Sequence, residues 1–298
     1  MTDLILAIDQ GTTGSTIALM DTDGRLLTSV NHEFPQVFPQ PGWVEHDPEK
    51  IWQSVLSGLS AIFSDTEHAV SQVAAIGITN QRETAVLWDS QTGQAVHNAI
   101  VWQCRRTTDV CEDLKAAGYE ALIKAKSGLV LDPYFSATKF KWILDNAPTA
   151  KTLLAEGRLL AGTIDTYLMW RLSNGNVHKT DVSNASRTSL MSLETLDWDA
   201  ELLDIFGVPR DILPEICPSS GRFAVTSGVP GLPDGLPVSG VAGDQQSALF
   251  GQACFEPGDA KCTFGTGSFI LMNAGTIPIA ADTLSLIHIS EPTRLIGI

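Results

Sequence analysis

The sequence predicts an α/β fold in which helices cover a sheet of mixed strand direction. The chain opens with strand segments around a glycine-rich turn, and strands then alternate with amphipathic helices. Its 298 residues are 44% hydrophobic, which is enough apolar material for a large core. We therefore expect one large α/β domain followed by a piece of a second.

The first three strands form a predicted meander. Leu4 to Asp9 and Thr16 to Asp21 are rich in β-branched and aliphatic residues, and the Gly/Thr-rich turn 10–15 separates them. A second turn at 21–24 precedes the strand 26–30. Consecutive strands joined by short turns are typical of an antiparallel arrangement.

The first helix is predicted to begin after Asp47. Asp47 suits the N-cap, and Pro48 suits the first helical position. Apolar residues then recur at helical spacing, namely Ile51, Trp52, Val55, Leu56, Leu59, Ile62 and Phe63. One face of this helix is therefore expected to pack against the sheet.

The remaining predicted elements alternate between strand and helix. In chain order they are a buried strand at 73–79, a hairpin at 84–96, a strand at 99–102 leading into a helix through 110–114, a strand and a helix at 159–161 and 163–172, and a strand and a helix at 237–241 and 246–253. Open α/β sheets bind ligands outside the carboxyl ends of their strands. The pattern leaves the strand order open.

Composition argues against several classes of function. The 19 Lys and Arg residues against 34 Asp and Glu residues give a net charge of −15, which disfavours binding to nucleic acid. No uninterrupted apolar segment reaches the roughly 20 residues of a membrane span. Met1-Thr2-Asp3 lacks the basic flank and small-residue site of a signal peptide, so we expect a cytoplasmic protein.

The cysteines and histidines predict no metal centre. The five cysteines are widely spaced without a C-x-x-C pair, so we expect buried thiols rather than disulfides or zinc ligands. The six histidines show no ligand spacing. Arg105 and Arg106 are expected at a helix start or on the surface.

The turn between the first two strands is a candidate phosphate site. Gly11-Thr-Thr-Gly-Ser15 exposes backbone N–H groups and hydroxyls that suit phosphate oxygens. It is not a P-loop, because no Gly-Lys-Ser/Thr follows. Asp9 ends an apolar strand directly before the turn, where a carboxylate is placed to hold Mg²⁺ through water. The alternative is an ordinary hairpin turn that Asp9 caps.

A second candidate site follows a later strand. Gly240 and Gly243 allow a sharp bend, and Asp244 follows at the carboxyl end of the strand, just before a helix. Asp244 is thus a candidate functional carboxylate. The alternative is that it only caps the helix starting at Gln246.

A third polar group follows the buried strand 73–79. Arg82 and Glu83 offer donors and an acceptor to neighbouring hydroxyls of a small polyol, and a site of this kind rejects ligands that lack a hydroxyl. Trp102, Tyr134 and Phe269 are candidates for the apolar wall of such a site. A surface ion pair and core aromatics are the alternatives.

A short repeat links the start of the chain to its later part. Ala7-Ile-Asp-Gln-Gly-Thr-Thr-Gly-Ser15 and Lys261-Cys-Thr-Phe-Gly-Thr-Gly-Ser268 each precede an apolar strand. We interpret them as two related phosphate-facing hairpins, with chance similarity as the alternative.

Several segments resemble the FGGY carbohydrate kinases, and specifically their glycerol branch. Asn-Gln-Arg-Glu at 80–83 and Trp-Gln-Cys-Arg-Arg at 102–106 indicate that branch, whereas Gly-Asp-Gln-Gln at 243–246 indicates only a sugar kinase. The resemblance is colinear from about residue 4 to about residue 275, through the segments 9–13, 41–48, 77–84, 101–107, 132–136, 180–188 and 243–251. It implies the actin/hexokinase/Hsp70-like ATPase fold, which is ribonuclease H-like, with the first strands of a second, similar domain.

The resemblance also implies an activity and its residues. The activity is phosphorylation of glycerol by ATP to sn-glycerol 3-phosphate with Mg²⁺ as cofactor, and full-length members are expected to be homo-oligomers. Asp244 matches the general base, and Asp9 and Asp244 match carboxylates next to Mg²⁺. The matching polyol contacts are Arg82, Glu83, Trp102, Tyr134, Asp244, Gln245 and Phe269. The matching nucleotide contacts are Thr12, Thr13, Gly14 and Thr266.

The chain also departs from the family pattern. Thr16 stands where many members carry an Arg near the phosphates, and the loop 228–235 lacks the sequence that binds fructose 1,6-bisphosphate in some members. We interpret 1–250 as the substrate domain, 251–283 as a truncated start of the nucleotide domain and 284–298 as an artefactual, non-family tail. We therefore expect little kinase activity from this chain alone. The alternatives are another polyol or pentulose kinase of the family and a non-catalytic polyol-binding fragment.

Overall fold

The computed structural model describes residues 3–64, 68–264 and 268–275. The strands within these ranges are β1 (Leu4–Gln10), β2 (Gly14–Asp21), β3 (Leu26–Glu33), β4 (Glu45–His46), β5 (Val73–Asn80), β6 (Val86–Asp89), β7 (Ala99–Ile100), β8 (Leu159–Gly162), β9 (Lys179–Asp181), β10 (Glu215–Cys217), β11 (Ser220–Val225), β12 (Pro237–Gly243), β13 (Ala260–Phe264) and β14 (Ser268–Met272).

The α-helices are α1 (Pro48–Ser64), α2 (Thr108–Ala116), α3 (Glu120–Ser127), α4 (Ser136–Asn146), α5 (Pro148–Ala155), α6 (Ile164–Leu172), α7 (Val182–Ala185), α8 (Ala200–Phe206) and α9 (Asp244–Gly251). Short 3₁₀ turns lie at Val70–Gln72 and Arg210–Ile212. None of the helices in the described ranges is long and apolar enough to cross a membrane.

Six strands form the central sheet, in the order β11-β12-β5-β1-β2-β3. β12, β5 and β1 are parallel, whereas β2, β3 and β11 run antiparallel to their neighbours. Gln10 pairs with Asn80, and Asn80 pairs with Gly243, so the carboxyl ends of the three parallel strands are level. The predicted mixed sheet and antiparallel β1–β3 meander are confirmed.

Two apolar cores hold the helices and strands together. The first lies between the sheet and the helices α1 and α6, and the second joins α2, α4, α5 and α8 to β7 and β8. Leu6 and Ile8 of β1 are fully buried in the first core, whereas Asp9 points to the opposite, accessible face of the strand. The alternation along β1 therefore separates a packing face from a face that is free to carry a functional carboxylate.

Three predicted elements differ in extent. The strand predicted at 99–102 is only Ala99–Ile100, and the helix predicted to begin at Gln246 begins at Asp244. A carboxylate in the first turn suits the positive end of a helix, which explains the earlier start. In the predicted hairpin, β6 pairs along its length with β8, and its return arm makes only the isolated Trp88–Ala95 bridge.

The exposure of several side chains differs from a simple reading of the sequence. Arg106 lies at a helix start, just before α2, but its side chain is fully buried, with its guanidinium 3.9 Å from the Trp43 ring and its Nη2 2.6 Å from Glu45 Oε1. The aromatic face and the carboxylate compensate the charge in the interior, which sequence position alone does not indicate. Burial was expected for all five cysteines. Cys104 and Cys111 are buried, whereas Cys217 and Cys254 are half-buried and Cys262 is exposed.

Candidate active site

The level ends of β5 and β12 bring two predicted site residues together. Arg82 Nε lies 2.9 Å from Asp244 Oδ1, and its Nη1 donates a hydrogen bond to Gln246 Oε1 at 3.3 Å. A Cβ atom on Gly243 would lie 2.6 Å from Arg82 Cγ, closer than real Cβ contacts allow. Gly243 is therefore required for the close approach of the guanidinium to the end of β12.

Glu83 occupies an unusual backbone position beside Arg82. Its φ angle is +62°, and the residue is 1% exposed. Few non-glycine residues adopt this left-handed conformation, and such residues are concentrated at functional sites. Glu83 Oε1 accepts a hydrogen bond from Arg187 Nε at 2.6 Å, and its carbonyl oxygen accepts one from Ser136 Oγ at 3.1 Å.

These groups form one end of a small cavity of about 140 Å³. Its volume is below the range of about 300–1,000 Å³ that is typical of sites for drug-sized ligands, so it suits a small molecule. The cavity joins charged and amide groups to aromatic rings, and it is lined by Thr12, Gln81, Arg82, Glu83, Trp102, Tyr134, Asp244, Gln245, Thr263 and Phe269. The structure thus brings together the seven residues predicted to contact a polyol.

Three aromatic rings form the apolar side of the cavity. The Trp102 ring lies 5.7 Å from Tyr134 and 6.3 Å from Phe269, with edge-to-face geometry in both pairs. Burial and the nearby Glu83 carboxylate raise the pKa of the Tyr134 hydroxyl, so the phenol stays protonated near neutral pH. The cavity therefore has aromatic rings on one side and charged groups on the other.

Lys261 in β13 contacts Gln245, a role that the sequence did not predict. Gln245 Oε1 accepts a hydrogen bond from Lys261 Nζ, which also donates to Thr263 Oγ1 at 2.6 Å. Burial lowers the pKa of Lys261 from its usual value. Lysine is rarely buried, so the 7% exposure of Lys261 indicates a specific structural role. Its burial depends on the fold and could not be predicted from the sequence.

The glycine-rich turn lies beside the same cavity. Trp102 Nε1 donates a hydrogen bond to Thr12 Oγ1 at 3.0 Å, which links the turn to the aromatic wall. Gly14 is buried, and a Cβ there would lie 3.0 Å from the His32 carbonyl oxygen, so the absent side chain also serves packing between β2 and β3. Thr13 is exposed beside it, whereas Thr266 lies outside the described residues.

Buried amides and a histidine connect the glycine-rich turn to the end of β5. Gln81 Nε2 donates to Gln10 Oε1 at 3.0 Å and lies 3.2 Å from His46 Nδ1. His46 Nε2 is 2.5 Å from Gln36 Oε1, and Gln36 Nε2 donates to the Thr12 carbonyl oxygen at 3.0 Å. Burial lowers the pKa of His46 to about 4, so this ring is a neutral link at neutral pH. The sequence assigned no role to these side chains.

Asp9 and Asp244 supply two carboxylates at the same edge of the sheet. Asp9 is accessible to water, yet it sits among many protein atoms, and this partial burial together with repulsion from Asp244 raises its pKa to about 6. Mg²⁺ in phosphate-transfer sites needs only one or two carboxylates beside phosphate oxygens and water. No larger group of metal-ligating side chains occurs in the described part of the chain, and the two carboxylates fit this pattern.

Comparison with known proteins identifies the family of the chain. The model of the FGGY family of carbohydrate kinases, N-terminal domain, matches residues 4–251. A curated glycerol kinase from Bdellovibrio bacteriovorus is 57% identical over 275 residues, which is 92% of this chain and 56% of that protein. A glycerol kinase from Symbiobacterium thermophilum is 54% identical over 279 residues, 94% of this chain and 56% of that protein. The chain thus spans about half the length of the curated relatives it matches.

Solved structures give the same fold. The crystal structure of Plasmodium falciparum glycerol kinase with ADP matches with a TM-score of 0.85 and 38% identity over 91% of this chain and 54% of that one. A gluconate kinase from Lactobacillus acidophilus matches with a TM-score of 0.80 at 23% identity, over 91% of this chain and 54% of that one, which shows the shared fold alone. The fold and family predicted from the sequence are confirmed.

Proposed function

The chain belongs to the FGGY family of carbohydrate kinases, and on that premise we propose that it carries the polyol site of a glycerol kinase. The proposed reaction transfers the γ-phosphoryl group of ATP to a terminal hydroxyl of glycerol, giving sn-glycerol 3-phosphate and ADP. The observation that carries this proposal is the small cavity with Arg82, Glu83 and Asp244 on one side and three aromatic rings on the other. We expect the enzyme to act in the cytoplasm, where ATP is available.

Asp244 is the proposed general base. Its side chain is 38% exposed, and Arg82 Nε fixes one of its oxygens at 2.9 Å. A carboxylate held in this way accepts the proton of the attacking hydroxyl as the new phosphate ester bond forms. Arg82 and Glu83 hold the remaining hydroxyls of the polyol, because together they supply donors and an acceptor.

The proposed phosphate contacts are in the turn after β1, beside the same cavity. Thr12, Thr13 and Gly14 contribute the glycine-rich turn, and Asp9 and Asp244 are the residues that would hold Mg²⁺. When bound, such an ion neutralises charge on the transferred phosphoryl group. Thr266, which lies outside the described residues, is also proposed as a phosphate contact.

The choice of glycerol over a larger sugar depends mainly on the identity to named relatives. Several structural relatives are named as xylulose kinases, at 24% identity or less. The curated relatives at 52–57% identity are named glycerol kinases, and the cavity of about 140 Å³ is small. We therefore propose a three-carbon polyol as the substrate.

Titration calorimetry on the 298-residue chain tests the polyol site. We expect glycerol to bind, propane-1,2-diol to bind much more weakly, and xylulose not to bind. Arg82→Met should abolish glycerol binding, whereas Arg158→Met, which removes an ion pair with Asp89 away from the cavity, should leave it unchanged. Absence of glycerol binding, or a preference for xylulose, would contradict the proposal.

An assay of ADP release with ATP and Mg²⁺ tests the reaction itself. The chain spans about half of its curated relatives, and kinases of this kind close two domains over the nucleotide, so we expect little turnover from this chain alone. Glycerol-dependent turnover at about 1–100 s⁻¹ would overturn that expectation.

A further inference from the structure

The segment 180–188 contacts the ends of both β5 and β12, the strands that the proposed polyol contacts Arg82 and Asp244 follow. It begins in β9 and contains the short helix α7. Asp181 fixes its start, since Oδ1 accepts from Asn184 N at 3.0 Å and Oδ2 accepts from Ser183 N at 2.9 Å. Ser219 Oγ donates to the same Oδ2 at 2.6 Å. These hydrogen bonds restrict the conformation of the segment.

Two contacts tie this segment to the central sheet. Asn184 and Asn80 exchange side-chain hydrogen bonds of 3.0 and 3.1 Å, and both residues are fully buried. Gly243 N donates to Ser183 Oγ at 2.9 Å. Asn80 and Gly243 end β5 and β12, so the segment is anchored directly beneath Arg82 and Asp244.

Arg187, near the end of the segment, contacts Glu83. Its Nε donates to Glu83 Oε1 at 2.6 Å, and its guanidinium lies 4.9 Å from the Phe135 ring and 5.7 Å from the Tyr134 ring. The described lining of the cavity includes Glu83 and Tyr134 but not Arg187. Arg187 thus contacts Glu83 and Tyr134, two predicted polyol residues, from outside the cavity lining.

Glu83 needs such a partner. A carboxylate that is 1% exposed loses its hydration, and a buried charge without a partner is strongly destabilising. Arg82 Nε is 4.0 Å from Glu83 Oε1, and the same nitrogen is 2.9 Å from Asp244, so Arg82 is engaged mainly by Asp244. Arg187 is then the cation that donates a direct hydrogen bond to the Glu83 carboxylate.

We propose that Arg187 is a positioning residue that holds the Glu83 carboxylate in orientation to accept a hydrogen bond from a substrate hydroxyl, and that it thereby sets selectivity for a fully hydroxylated polyol. The inference rests on the proposed function and adds to it a residue that does not contact the substrate. The hydrogen bond fixes Oε1, and the nearby rings of Phe135 and Tyr134 restrict the guanidinium. Because the Arg187 and Arg82 contacts among the described residues both involve Oε1, Oε2 is the oxygen that we assign to the substrate hydroxyl.

A double-mutant cycle on the 298-residue chain tests this role. Glycerol affinity is measured by titration calorimetry for the parent chain, Arg187→Met, Glu83→Gln and the double variant. Because Arg187 acts through Glu83, we expect Arg187→Met to weaken binding about tenfold or more in the parent, and by less than about threefold when Glu83 is already Gln. Arg187→Lys should restore part of the affinity, since it retains the charge.

Selectivity and folding provide the remaining readouts. Arg187→Met should reduce the preference for glycerol over propane-1,2-diol, while Arg158→Met, which removes the ion pair with Asp89, should change neither affinity nor preference. Two results would overturn this inference without contradicting the proposed function. One is an equal loss of glycerol affinity in the parent and Glu83→Gln backgrounds, and the other is an unchanged preference for glycerol over propane-1,2-diol. Failure of the parent chain to bind glycerol would overturn the proposed function and the inference with it. Circular dichroism melts establish that each variant is folded at the temperature of the titration.

Discussion

Arg82 Nε lies 2.9 Å from Asp244 Oδ1, although the two residues follow different strands of the sheet. The Arg82 side chain is 5% exposed, whereas the Asp244 side chain is 38% exposed. The cation is thus enclosed by protein, and the anion faces the cavity. An accessible carboxylate fixed by a buried cation is an arrangement that suits a positioned base.

Asp244→Asn should lower kcat by about 10² or more, because an amide cannot accept the proton of the hydroxyl. The measurement requires an enzyme in which this chain is completed by the part of a curated relative that it does not span. The amide retains the shape of the side chain, so glycerol affinity should change much less than kcat. Near-normal turnover would remove Asp244 from the role of base.

Gly243→Ala should weaken glycerol binding about tenfold or more, because the new methyl group displaces the Arg82 side chain. Gly240→Ala in the same strand is the matched control, since a Cβ there meets nothing within 4 Å. We expect the control to bind within about threefold of the parent chain by calorimetry. Similar losses in both variants would indicate damage to β12 rather than displacement of Arg82.

Mg²⁺ binding should weaken as the pH falls through about 6, the pKa to which partial burial and repulsion from Asp244 raise Asp9. Protons compete with the ion for the carboxylate, so the affinity should fall by up to about tenfold per pH unit below that value. Mg²⁺ titrations between pH 5 and 8 measure this. Asp9→Asn should bind more weakly at pH 8 and lose the step near 6, and an unchanged profile would exclude Asp9 as a ligand.

Asp165 should make the protein less stable as the pH rises. The residue is fully buried, with its carboxyl oxygens 2.5 Å from Thr163 Oγ1 and 2.7 Å from Thr180 Oγ1. Burial and repulsion from Asp181 raise its pKa to about 7, far above the unfolded value of about 3.9. Between these values the native state binds a proton that the unfolded state releases, so stability falls by up to about 1.4 kcal/mol per pH unit.

Urea unfolding of the parent chain and Asp165→Asn between pH 4 and 8 measures this effect. The difference in unfolding free energy should move in favour of the variant as the pH rises from about 4 to about 7 and then level off. Asp23→Asn, a change at an exposed turn, should run parallel to the parent chain throughout. A constant difference between the parent and Asp165→Asn would show that this carboxyl is ionised across the range.

The sequence predicted the parts of the site that lie at strand ends. Asp9, Arg82 and Asp244 each follow a short apolar segment, and parallel strands bring their carboxyl ends to one edge, so local pattern was sufficient for these residues. The fold of β1, β2, β3, β5, α1 and α6 was predictable for the same reason, because each has its own periodicity and turn signals.

Arg187, His46 and Lys261 could not be found in this way. Their roles come from partners that are distant in the chain, such as Glu83 for Arg187, and a single sequence contains no signal for such pairs. Arg106 shows the same limit, because its enclosure by Trp43 and Trp142 reverses the usual surface preference of arginine. Strand order and the separate β6–β8 pairing likewise depend on long-range contacts.

The level ends of β1, β5 and β12 also bear on the folding of the chain. β5 lies between a strand that begins at Leu4 and one that ends at Gly243, so its two neighbours come from opposite ends of the domain. Contacts between segments so far apart form slowly, since closing the intervening loops costs entropy. The juxtaposition of Arg82 with Asp244 therefore depends on β12 having docked. Glycerol binding during refolding would report completion of the sheet, and a nascent chain that has not yet exposed β12 would lack the site.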